Sequence, residues 1–174
     1  MGQVADLIVT CGRRARAFGE KLLEGVRPEQ FACKPRADGR VIDTNHPAFV
    51  YGHLSLYPAR ILGFLKLDPS PAAVPVAWEK LFNPGTPCHD DPDGRIYPPM
   101  AELTAAYCRT YDAALAALPG VSDAALAAPT PDERYRAILP VVGAAALSML
   151  NNHPALHFGQ ISAWRRCMGL GPVQ

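Results

Sequence analysis

The stretch Asn151–Leu170, NNHPALHFGQISAWRRCMGL, carries two histidines four residues apart on what its periodicity predicts to be the inward face of a helix. Ala146, Met149, Leu150, His153, His157, Ile161 and Trp164 recur at three- and four-residue steps, the spacing of one buried helical stripe. Residues four apart on a helix stand one above the other, with Cβ atoms about 5–6 Å apart, so the imidazoles of His153 and His157 can reach one ion. A buried histidine needs polar partners, and the competing reading is a pair of core histidines bonded to carbonyl groups. The helix is expected over about residues 139–168. Pro154 lies inside it, removes one backbone hydrogen bond and is expected to bend it beside the histidines.

The tetrapeptide NHPA also occurs upstream, in TNHPAFVYGHLSLYPARIL from Thr44, and both copies run into an aromatic–glycine pair, Tyr51-Gly52 and Phe158-Gly159. That pair is expected to put a small residue where helices approach closely. The first copy predicts a helix from about His46 to Leu67. Pro47 suits the first helical position, Thr44 or Asn45 can supply the capping oxygen, and Phe49, His53, Leu56 and Phe64 mark an inward face. His46 and His53 are separated by about 10.5 Å of helical rise, whereas ligands of one zinc lie about 2.0–2.1 Å from it. Only one of them can join His153 and His157. His46 sits at the helix mouth, where a histidine caps or meets solvent, and His53 lies two turns inside. His53 is therefore the expected third ligand, and the two NHPA copies are not equivalent halves.

Two further helices complete the pattern. Val4, Leu7, Ile8, Ala15, Phe18 and Leu22 predict an amphipathic helix over about residues 3–24, and Met100, Leu103, Tyr107, Tyr111, Leu115 and Leu118 predict another, closed by Pro119-Gly120. Residues 27–45, with an Asp-Gly turn signal, and residues 68–99, rich in proline, form long connections, the second with one helical turn near Trp78–Phe82. VSDAALAAPTPDERYRAI, from Val121, is a further connection. Four helices, no alternating strand pattern and long connections predict an all-α four-helix bundle with crossovers, one domain over residues 1–174.

Charge and cysteine usage narrow the partners. Lys and Arg total 17 against 16 Asp and Glu, with no basic block, so there is no electrostatic footprint for nucleic acid or an anionic membrane. A small-molecule substrate is the better expectation. Five cysteines without CxxC spacing indicate neither a disulfide framework nor a thiolate zinc site, and point to reduced thiols in a cytoplasmic protein. No secretory leader, myristoylation signal or membrane span is expected. In CHDDPDGRIYPP, from Cys88, the acidic residues imitate the opening of a calcium loop, but Met100 stands where a bidentate Glu is needed. This segment is a proline-flanked turn that can rim the open end of a metal pocket. Tyr51 and Tyr57 are expected in the core, with acid–base work as the lesser reading, and Arg165 and Arg166 facing solvent or a crossover carboxylate, with a substrate anion as the alternative.

FVYGHLSLYPARIL together with HPALHFGQISAWRRCMGLGP resembles the DinB/YfiT family of metalloproteins. The layout is similar throughout nearly all 174 residues: a helix, a loop here reading RPEQFACKP, a helix with one ligand histidine, and a last helix. That helix carries His153-x-x-x-His157-x-Gly159-Gln160, then Arg165-Arg166 and Gly169-Leu170. Pro154 departs from the family's usual helix former. The resemblance implies a four-helix bundle with a long crossover, a divalent transition metal, zinc or nickel, on His53, His153 and His157, and a homodimer. Relatives include transferases using the thiols bacillithiol or mycothiol, a maleylpyruvate isomerase and a domain of ergothioneine-forming enzymes.

Three neutral imidazoles leave the ion's charge uncompensated and a coordination position open, the pattern of catalytic sites. A thiol or water held there becomes a nucleophile at neutral pH. The expected function is thus a metal-dependent thiol transferase or hydrolase acting with a low-molecular-weight thiol or water. Gln160 is the candidate catalytic or ring-holding side chain. The alternative is a non-catalytic metal- or ligand-binding bundle that works through a partner.

Overall fold

The computed structural model describes residues 2–173, and they are mostly helical. In chain order the helices are α1 (Gln3–Lys21), α2 (Pro47–Ser55), α3 (Tyr57–Phe64), α4 (Ala77–Phe82), α5 (Met100–Ala117), α6 (Asp123–Ala127), α7 (Glu133–Arg136), α8 (Val142–Leu147) and α9 (His153–Cys167). A π-helical turn, Ser148–Asn152, joins α8 to α9. Among the described residues the only paired strands are Arg36–Ala37 and Arg40–Val41. They flank Asp38 and Gly39, both at positive φ (48° and 77°), the backbone that a two-residue hairpin turn requires. The sequence marked the turn, but strands of two residues are too short to show alternation.

Four long helical stretches surround one core: α1, the α2–α3 pair, α5, and α8 continued through the π turn into α9. Every residue of α2 is buried, because a helix apolar on all sides can only sit in the middle. It packs against α4, α5 and α9. The expected stripe of α5 is observed, with Leu103, Tyr107, Tyr111 and Leu115 buried.

Three boundaries differ from the sequence expectation. The helix expected from His46 to Leu67 is divided at Leu56, because Pro58 has no N–H to give the Leu54 carbonyl; the turn tightens there to a Leu56 N–H to His53 O bond of 3.2 Å. Its end at Phe64 is set by Lys66, at φ 58°, which lets Leu67 N–H close back on Leu62 O at 2.9 Å, a Schellman cap. The last helical stretch begins at Val142 rather than near Leu139. Pro140 disfavours helical backbone at Leu139, and Thr130 N–H to Pro140 O and Val142 N–H to Ala128 O bonds of 3.0 and 2.9 Å keep that segment extended.

In α1 the buried face is Ala5, Ile8, Val9, Gly12 and Gly19, while Val4, Leu7 and Phe18 are 44, 66 and 42% exposed. The core here is reached across small residues, which carry little hydrophobic signal, so periodicity placed the stripe partly on the outer face. The connection after α5 holds α6 and α7, each one turn or so long and started by a side chain: Ser122 accepts from Ala125 N–H and Asp132 from Arg134 N–H. The turn at Trp78–Phe82 is α4, with both aromatic side chains buried. No helix among the described residues is long and apolar enough to cross a membrane.

Candidate metal centre

His53 stands in the last turn of α2 and His153 and His157 in the first turns of α9, and the structure brings all three rings together. Pro154 does not turn them apart. A proline inside a regular helix clashes with the carbonyl four residues back, here Leu150. The π turn at Ser148–Asn152 widens the helix over that carbonyl, and α9 begins at His153. Inserted π turns of this kind recur at functional sites.

The geometry of the nitrogens decides what the cluster can do. His153 Nε2 lies 3.1 Å from His53 Nε2 and 3.0 Å from His157 Nε2. His53 Nδ1 is 2.6 Å from the Phe82 carbonyl, which can only accept, so the ring proton is on Nδ1 and Nε2 presents a lone pair. His157 Nδ1 donates in the same way to Gln160 Oε1 at 2.8 Å, while Asn45 Nδ2 donates to that same oxygen at 3.0 Å. Two lone pairs therefore point at one spot, with the third Nε2 between them. A single N–H on His153 could serve only one of them well. His153 Nδ1 is buried without a partner among the described residues, so without an ion the ring proton belongs on Nε2, where the lone pair of His53 or of His157 accepts it. One lone pair is then left without an N–H from His153, and a cation between the three Nε2 atoms would satisfy all of them once the His153 proton moves to Nδ1.

The residues therefore fit a metal ion. Two nitrogens each about 2.0–2.1 Å from one zinc can be no more than about 4.2 Å apart, and the 3.0 and 3.1 Å separations lie within that span. Outward N–H groups bonded to a carbonyl and an amide oxygen are the usual support for ligand imidazoles. Burial drives the His53 ring down to about 4, with the charge of Arg60 and the neighbouring His157 adding to it. His153 goes down to about 3 from burial and from the other two rings, and His157 is also lowered by burial. All three rings are neutral at pH 7, as metal ligands must be.

One side of the cluster opens into a cavity of about 300 Å³ bounded by Asn45, Phe49, Tyr57, Thr86 and the Asn83–Gly85 turn. The Tyr57 hydroxyl is 3.2 Å from His53 Nε2 and its ring 4.5 Å from the His153 ring. Tyr57 is buried as expected but also faces the site. Its place one turn after His53 is the sequence signal for this. The rim comes from residues 83–86, just before the acidic turn. In that turn Asp91 accepts from the Arg95, Ile96 and Tyr97 N–H groups at 2.8, 2.9 and 3.0 Å, which is structural work.

Other residues that the sequence singled out fall differently. His46 is the N-cap of α2 itself, in place of Thr44 or Asn45: Nδ1 accepts from Phe49 N–H at 3.2 Å and Nε2–H donates to His89 O at 2.7 Å. It is fully buried rather than solvated. Gln160 holds the His157 ring. Gly52 is a point of close approach, but at Gly159 a methyl group would meet nothing within 4 Å. Arg165 is buried and caps the end of α1 through Leu22 O and Glu24 O at 2.8 and 2.7 Å, while Arg166 is exposed. Free carbonyls at a helix end, rather than a carboxylate, are what Arg165 neutralises.

His46 gives a pH prediction. Burial pushes it down to about 4, against about 6.5 in an unfolded chain. Its contribution is complete above pH 6.5 and is lost as pH falls toward 4, because only the unfolded state takes up the proton readily. His46→Asn keeps a capping acceptor and removes the titration. Between pH 6.5 and 4 the stability of the variant is expected to fall less steeply, by up to about 1.4 kcal/mol per pH unit. Urea denaturation at several pH values measures both slopes, and equal slopes would contradict the assignment.

Comparison with known proteins agrees with this architecture. The sequence model of the DinB superfamily matches residues 13–161, most of the chain, and the chain belongs to that superfamily. The superfamily is metal-binding, and the three-histidine cluster is compatible with it. No curated protein and no solved structure shows significant similarity to the chain.

Proposed function

We propose that this DinB-superfamily protein is a metal-dependent enzyme, a thiol transferase or hydrolase of the cytoplasm, in which His53, His153 and His157 hold zinc or nickel. The observation that carries this reading is the convergence of three Nε2 atoms, two with their lone pairs directed inward by Phe82 O and Gln160 Oε1. Once bound, such an ion supplies Lewis acidity, which makes a thiol or water nucleophilic at neutral pH.

The chain's own residues do the rest. Phe82 and Gln160 fix the rings of His53 and His157, which lowers the reorganisation that binding requires. Phe49, with its ring stacked 5.9 Å from His53, gives the cavity an apolar wall that limits water. Tyr57 and Asn45 present polar groups at the mouth, placed to orient a small electrophile. The Tyr57 hydroxyl is raised by burial to about 12, so at neutral pH it acts as a hydrogen-bond donor rather than a base.

The test uses protein purified without a histidine tag and loaded with zinc or nickel. A panel of low-molecular-weight thiols with a chromogenic electrophile, and a parallel panel of esters and amides, is expected to give turnover that chelation removes. Turnover that survives chelation would contradict the reading. Silence in both panels from metal-loaded protein would favour a binding module over an enzyme.

A further inference from the structure

Arg60, on α3 one turn after Tyr57, is a half-buried cation that no carboxylate neutralises among the described residues. Its guanidinium is nonetheless held in place. Nη1 donates to the Tyr135 hydroxyl and Nη2 to Asn83 Oδ1, each at 2.8 Å, and the Tyr57 ring lies against it, with Cζ 5.0 Å from the ring centroid. Both hydrogen-bond partners are neutral, so the geometry is fixed while the charge is not compensated. Nε–H and one hydrogen on each Nη are left over from the five that the group carries.

The guanidinium lines a hollow of about 640 Å³ between α3, α4 and α7. Asn83 and Pro84 belong both to this hollow and to the wall of the histidine cavity, and the Tyr57 ring touches both sides, 5.0 Å from Arg60 Cζ and 4.5 Å from the His153 ring. The remaining charged groups of the hollow are Glu79, Asp132 and Arg134. Asp132 and Arg134 pair with each other at 2.7 Å, and Glu79 is exposed on α4. The one rigid, partly desolvated and unpaired charge is Arg60. A planar fork of N–H donors in such a setting matches the two oxygens of a carboxylate.

We propose that Arg60 is a carboxylate-binding subsite, and that the small molecule taken by the histidine cavity carries a carboxylate which reaches over the Asn83–Pro84 rim to the guanidinium. This rests on the histidine cavity being the reaction site, but the subsite itself does not need the metal. Its partner is a small organic acid. A neutral molecule of the same shape leaves the fork unmatched.

The experiment follows the Arg60 Nε–H signal, and in every protein including the variants the backbone N–H signals of Gly63, Phe64, Glu79 and Tyr135 that line the hollow, by ¹H–¹⁵N NMR in metal-free protein titrated with propionate or with propionamide, its neutral isostere. Propionate is expected to shift that signal and to bind roughly tenfold or more tightly than the amide. Arg60→Gln keeps a polar side chain at this position but lacks the charge and the fork, and is expected to bind the two probes equally. Arg60→Lys is expected to keep a preference, but a smaller one, since it loses the fork. Equal binding of both probes to the unaltered protein would overturn the proposal, as would an undiminished propionate preference in a folded Arg60→Gln variant. Metal content of the same proteins is a separate readout. Failure to bind metal with the propionate preference intact would overturn the metal reading and leave the subsite standing.

Discussion

Replacing His153 and His157 together with alanine is expected to abolish stoichiometric binding of zinc or nickel, and either single replacement to weaken it by more than about 100-fold. Outer partners of metal ligands are alone worth about 10–100-fold in affinity, and loss of a ligand exceeds that. Gln160→Ala supplies the outer-partner comparison: His157 keeps its place on α9 but loses the acceptor for Nδ1–H, 2.8 Å away. Its expected loss lies within the 10–100-fold range. Metal analysis after equilibrium dialysis measures all of these. Equal metal in the double variant and the unaltered protein would mean that the ion sits elsewhere, with His89 or the half-buried cysteines the next places to look.

Gly52→Ala is expected to damage stability and the cluster together. A Cβ at Gly52 would lie 2.4, 2.4 and 2.6 Å from three atoms of the Phe82 ring. That ring is fully buried and held by Trp78 at 5.5 Å and Tyr97 at 5.7 Å, so it has nowhere to withdraw. Overpacking of this kind costs about 1–3 kcal/mol. The Phe82 carbonyl is also the acceptor that orients His53, so a displaced Phe82 is expected to lower metal affinity by about 10-fold or more. Gly159→Ala, at the matching position of the second motif copy, meets no atom within 4 Å and is expected to be neutral or to stabilise by up to about 1 kcal/mol through helix propensity. Thermal unfolding and metal titration of the pair separate the two. A harmless Gly52→Ala would contradict the close approach described here.

The contrast between these glycines shows which kinds of information the sequence carried. Helix identity was legible because α5 and α9 repeat their apolar residues with a helical period, and His153 and His157 were legible as a pair because four residues make one turn. Helical rise showed that His46 and His53 could not both join the pair, and the place of His46 at the helix mouth selected His53. Two near-identical motif copies, in contrast, have unlike surroundings, and only packing shows that Gly52 faces an aromatic ring and Gly159 faces solvent. The division at Leu56 was signalled by Pro58 but hidden by the continuous apolar run on either side. Pro154 signalled a disturbance, and the π turn at Ser148–Asn152 that accompanies it depends on the room available around the Leu150 carbonyl. Tyr57 and Arg60 carried no motif of their own; their relation to the cluster appears only when α3 is placed beside α9 and the Asn83–Pro84 turn.

The stability of this arrangement and its chemistry draw on the same contacts. Gln160 and Phe82 hold the two outward N–H groups of His157 and His53, and α2 is locked in the core on all sides. The imidazoles are thereby fixed by packing before any ion arrives, which lowers the reorganisation that binding requires.

The most direct measurement is anomalous scattering from crystals grown with zinc or nickel, with data collected on both sides of the metal's absorption edge. The expected result is a single strong peak within bonding distance of Nε2 of His53, His153 and His157. A map with no peak between those three nitrogens, or with its only peak bound to other side chains, would contradict the metal centre and the chemistry proposed for it.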